Sequence, residues 1–72
     1  MEFSHDPDFI RNVGLILLRD VEYTLAGFIF EGLTKSHPKY APAFNDLGLV
    51  LGLFGYGERA TDAFRKAIDF AP

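Results

Sequence analysis

The sequence predicts an all-α fold of two tandem helix-turn-helix hairpins. Three observations carry that reading. The chain resembles itself at a fixed offset, its apolar residues are spaced to line helix faces, and the four prolines, with Gly55 and Gly57, stand where helices must start or end.

The offset is 34 residues. It pairs Gly14 with Gly48, Leu15 with Leu49, Leu17 with Leu51, Ala26 with Ala60, Phe30 with Phe64 and Pro38 with Pro72, without a gap. Val13 and Ile16 face the similar Leu47 and Val50. The matched residues are the small, large and helix-ending types that set packing geometry.

A first helix is predicted near 7–20. Asp6 supplies an N-cap and Pro7 a first helical residue. Ile10, Val13, Gly14 and Leu17 fall at i, i+3, i+4 and i+7, on one face, before a break near Asp20-Val21. A second helix near 22–36 turns Tyr23, Ala26, Phe30 and Leu33 inward and is closed by Pro38. The third, near 42–54, starts at Pro42 as the first does at Pro7, and its face is Phe44, Leu47, Gly48 and Leu51. Gly55-Tyr56-Gly57 breaks it. The fourth, near 57–70, presents Ala60, Phe64 and Ala67, with Pro72 beyond its end. All of this makes one domain over 1–72, with repeat one at 7–40 and repeat two at 41–72.

The glycine-rich stretch LGLVLGLFGYG, residues 47 to 57, fits this scheme better than its competitors. It is about half the roughly 20 residues a membrane span needs. No Gly-Lys-Ser/Thr follows to form a phosphate loop, and no strand precedes it. Gly48 is read as the residue that lets the paired helix come close. Gly52 has Leu18 as its counterpart and costs about 1 kcal/mol of helix propensity relative to Ala. A bound backbone approaching closely would account for it, and so would simple tolerance.

Composition narrows the function classes. The chain has no cysteine, which excludes disulfides and thiolate metal sites and suits a reducing, cytoplasmic setting. Its net charge of −3 is mild and its basic residues are scattered, so nucleic acid is not an expected partner. The start, MEFSHDPDF, has neither the basic region nor the apolar core of a signal peptide. His5-Asp6-Pro7-Asp8 reads as helix capping rather than a metal cluster. Ser4, Thr24, Thr34, Ser36 and Thr61 have no base to activate them. The expectation is a protein without catalytic residues, cofactor or metal.

The repeat unit resembles the tetratricopeptide repeat, whose signature is W-x2-L-G-x2-Y, then A-x3-F, then P, over about 34 residues. Repeat two reads Phe44-x2-Leu47-Gly48-x2-Leu51, Ala60-x3-Phe64, Pro72. Repeat one reads Ile10-x2-Val13-Gly14-x2-Leu17, Ala26-x3-Phe30, Pro38, with Tyr23 resembling the aromatic at the start of the family's second helix. Neither repeat has the Trp, leucines replace the Tyr, and Leu33 stands where a small residue is common.

The resemblance implies an α-solenoid fragment that binds protein rather than catalyses. Stacked hairpins form a concave groove lined by the first helix of each pair. The groove side would hold Arg11, Leu15, Leu18 and Arg19 in repeat one, and Asn45, Leu49, Gly52 and Leu53 in repeat two. Relatives that clamp acidic chaperone tails use Lys, Arg and Asn there. Leu15 and Leu49 occupy those places, so that activity is rejected and an apolar peptide or helix is the expected occupant. The alternative is that these leucines merely cover each other or a missing neighbour.

The second helix carries an extra apolar stripe, Leu25, Phe28, Ile29 and Gly32, where repeat two has Arg59, Asp62, Ala63 and Lys66. Leu25, Phe28 and Ile29 are therefore expected to pack on a symmetric partner copy, unless the N-terminal residues, with Phe3 and Phe9, fold back over them. Two repeats are also fewer than arrays of this kind generally use. The favoured reading is a scaffold or adaptor that binds protein and self-associates, a dimer being the simplest form. A small secretion-type chaperone shielding an apolar client segment is the runner-up, and a regulatory fragment of a larger protein is the third.

Overall fold

The computed structural model describes residues 6–72. They form four helices, α1 (Pro7–Arg19), α2 (Tyr23–Ser36), α3 (Ala41–Leu53) and α4 (Gly57–Phe70), in chain order. α1 pairs with α2 and α3 with α4, and α3 also packs on α2, so the two hairpins lie in series. The result is a slab 37 × 29 × 16 Å along its principal axes.

Local chemistry explains the ends. The Asp6 carboxylate accepts from the Asp8 backbone N–H at 2.9 Å, with Pro7 filling the first helical position. Tyr40 takes the N-cap place of α3 without a side-chain bond, and Pro42 stands second in that helix. The expected parallel with Pro7 is thus displaced by one residue, which costs nothing because that N–H has no intrahelical acceptor either.

Both hairpins turn in the same way. In repeat two the Gly55 N–H donates to Gly52 O at 3.0 Å and the Tyr56 N–H to Leu51 O at 2.9 Å. In repeat one the Val21 N–H donates to Leu18 O at 3.0 Å and the Glu22 N–H to Leu17 O at 2.8 Å. This paired bonding satisfies the last helix carbonyls and requires a left-handed residue after the cap. Gly55 supplies it with φ 86°, but in repeat one a β-branched residue, Val21, does so with φ 64°. Glycine suits that region and valine does not.

The helices within each hairpin meet at a glycine. A Cβ built on Gly14 would lie 2.5 Å from Cε1 of Phe30, and one on Gly48 would lie 2.8 Å from Cε1 of Phe64. The repeat pairs Gly14/Gly48 and Phe30/Phe64 are therefore one packing unit used twice. Ala26, Phe30 and Val50 form a buried cluster, with Leu15, Leu17, Leu18 and Leu47 partly buried against it. Leu51, Ala60 and Ala63 form a second, and Leu47 packs against both. Ala63, read in the sequence as part of a charged outer stripe, is buried instead. Its methyl is small enough to enter the seam between helices.

One charged group lies in the junction between hairpins. Asp46 is only 4% exposed. Arg11 reaches it from α1, with Nε 2.6 Å from Oδ2 and Nη2 3.5 Å from Oδ1. A buried carboxylate needs such a partner.

Candidate protein-docking face

The two copies of the glycine–phenylalanine unit differ in what lies outside them. Phe30 is wholly buried because α3 covers it, with Val50 in contact. Phe64 sits over Gly48 in the same way, yet it is 39% exposed. Among the described residues, none occupies the place beside α3–α4 that α3 occupies beside α1–α2.

That open side is apolar. Leu49, equivalent to Leu15, is half-exposed, and Ile68 is 75% exposed. A shallow depression of about 550 Å³ runs between Asn45 on α3 and Phe64, Ala67 and Ile68 on α4, with Arg11 and Pro72 at its edges. Its polar content is slight, as a surface for an apolar helix requires.

The groove expected from the sequence divides in two. Leu15 and Leu18 are partly buried against Ala26, Phe30 and Val50, and Arg11 is bound to Asp46. Arg19 is exposed, with Nε 3.4 Å from Asp20 Oδ1. Asn45, Leu49, Gly52 and Leu53 are all exposed. An added Cβ at Gly52 meets nothing within 4 Å. The repeat-one residues thus take part in the seam between hairpins, while their repeat-two equivalents face outward. Ile68 and Asp46 were not among the expected site residues, and Phe64 was expected only as a repeat-defining packing residue.

On α2, Leu25 and Phe28 are exposed and Ile29 is partly covered. Phe28 shares a shallow apolar patch with Phe54 and Tyr56 at the end of α3. Phe3, Ser4 and His5 lie outside the described residues.

The clearest electrostatic shifts fall on two side chains at the contact of α1 with the start of α3. The bond to Asp46 raises the Arg11 guanidinium pKa further above its already high value. Partial burial, together with donation of its hydroxyl to the Asp8 carboxylate, pushes the Tyr40 phenol up to about 12. Both groups hold α1 against α3. Among the described residues, no three His, Asp or Glu side chains gather as a metal site would require. No described helix is long and apolar enough to cross a membrane. Compared with known proteins, the chain matches no family profile and is significantly similar to no curated protein.

Proposed function

We propose that this chain is a protein-interaction module of tetratricopeptide type that receives an apolar-faced helix on its open α3–α4 side. One observation carries the reading: Phe64 repeats the packing of Phe30 but lacks the helix that buries Phe30. A large aromatic left over one-third exposed beside Leu49 and Ile68 is costly in water, at about 25 cal/mol for each Å² of apolar surface. A docked helix removes that cost and supplies much of the binding energy. Among the described residues lining the face Arg11 is the one cation and it is bound to Asp46, which supports an apolar rather than an acidic ligand.

The test is a titration of the isotope-labelled protein with short amphipathic helical peptides, followed by NMR. Peptides with an alanine-leucine-valine stripe are expected to shift Leu49, Phe64 and Ile68, and Ile68→Lys to weaken binding at least tenfold. If an apolar-striped panel leaves those resonances unmoved, the reading is wrong. A second reading, shielding of an apolar client segment, is favoured by the exposed Leu25 and Phe28 on α2. Peptide shifts confined to those residues would support it instead.

A further inference from the structure

The opposite end of the molecule carries a helix whose exposed side matches the open face. α3 enters the seam of the first hairpin through Ala43, Asp46, Leu47 and Val50, of which Ala43, Asp46 and Val50 are at most 4% exposed. Shifted by the repeat offset of 34, these become Phe9, Asn12, Val13 and Ile16 of α1. Asn12 is exposed, Val13 is half-buried and Ile16 is 49% exposed. The chain therefore holds both halves of the α3 junction a second time, at its two ends.

We propose that α1 of a second copy of this chain docks on the α3–α4 face, head to tail, as α3 docks on α1–α2 within the chain. The proposal rests on the reading of that face as a receiver of a helix, and names the helix.

The sizes change in compensating directions. On the receiving side Leu18 is replaced by Gly52 and Leu33 by Ala67. On the entering side Val50 is replaced by Ile16 and Ala43 by Phe9, both larger. One contact changes otherwise: a Cβ on Gly27 would lie 3.4 Å from Val50, and its equivalents Thr61 and Ile16 are both larger, so the entering helix must sit further from α4 and nearer Gly52. Interiors accept such exchanges when total volume is kept.

The polar pair changes in step as well. Arg11 on the receiver and Asp46 on the entering helix become Asn45 and Asn12. Each amide has a donor and an acceptor, so the two can hydrogen-bond with no charge to desolvate. Replacing only one partner would strand a buried charge; here both have changed. A symmetric contact between two α3–α4 faces would use none of this complementarity and would leave Ile16 in water.

Such a contact joins unlike surfaces, so a joined pair still presents the α3–α4 face of one copy and the α1 face of the other for further contacts. Growth is then open-ended unless the rotation closes a ring.

Sedimentation velocity on the full chain, Ile16→Lys and Ile68→Lys decides it. Both positions are exposed and lie in or near the last turn of a helix, where lysine suits the helix dipole. Circular dichroism checks that each variant keeps its helix content. The wild type is expected to sediment faster as concentration rises. Each variant alone is expected to lose every species above monomer, and an equimolar mixture to regain a dimer and nothing larger. That rescue arises only if the two substitutions block opposite ends of one contact.

Persistent dimers of Ile16→Lys alone would overturn the proposal in favour of a symmetric contact. Assembly abolished by Phe28→Asp, with no rescue in the mixture, would overturn it in favour of the α2 patch. A monomeric wild type that still binds helical peptides at Phe64 would overturn the self-docking and leave the receiver standing. A monomer that binds none would remove both.

Discussion

Gly14 and Gly48 hold the same place in their repeats, but the rings facing them are held differently. Phe30 has no exposed surface and cannot swing away, whereas Phe64 borders solvent. Gly14→Ala forces a methyl to within 2.5 Å of the Phe30 ring. Overpacking of that kind costs about 1–3 kcal/mol, against a gain of about 1 kcal/mol in helix propensity. Urea unfolding is expected to show Gly14→Ala destabilised by about 1–2 kcal/mol, and Gly48→Ala within about 1 kcal/mol of wild type. Equal losses would mean that Phe64 is as firmly held as Phe30. Val21 is the other residue out of keeping with its position. A left-handed L-residue costs about 1–2 kcal/mol, and this one is exposed enough to lose little packing if replaced. Val21→Gly, matching Gly55, is expected to raise the unfolding free energy by about 1 kcal/mol in the same measurement. The spacing of Asp20-Val21 announces a break but not its conformation. Valine in that pattern points away from a left-handed turn, so this detail could not be read from the chain.

At the scale of elements, all four helices lie within a residue of where proline, glycine and apolar spacing put them. The signals are strong because the same punctuation occurs twice. Asp46 was harder to foresee. Its partner is 35 positions away on another helix, and a single sequence gives no covariation to link them. A signal was nevertheless present, since Asp46 is the only charged residue in α3. The pair invites a double-mutant cycle. Arg11→Asn leaves a buried carboxylate without its counter-charge and is expected to cost about 2–3 kcal/mol. Adding Asp46→Asn removes the stranded charge and reproduces the amides found at the two ends. The double variant is therefore expected to be more stable than Arg11→Asn alone. Additive losses would mean that Arg11 and Asp46 are not coupled.

For the molecule as a whole, the sequence was informative about what repeats and poor about what ends. Periodicity identifies faces that are apolar, but burial depends on neighbours. Leu15 and Leu49 are the same residue at the same repeat position; the first packs under α3 and the second faces solvent. Reading both as one groove merged a seam that is filled with one that is open. A slab only 16 Å thin cannot remedy this by closing over itself. A chain this small buries only about 60% of the surface its unfolded form exposes. Covering Phe64 and Ile68 as proposed would therefore add a large share to the total.

The Arg11–Asp46 pair has a consequence for domain swapping. Two seams of similar shape on one chain invite exchange, with α3 of one copy leaving its own hairpin for the end of another. Asp46 would then lie beside Asn45, out of reach of Arg11. In the reverse error, α1 entering the inner seam would put Asn12 against the Arg11 of its host. Either exchange strands a charge that the correct arrangement neutralises. Under the proposed head-to-tail contact, the charged pair marks the inner seam as private to its own chain, and the amides leave the outer one to a second copy.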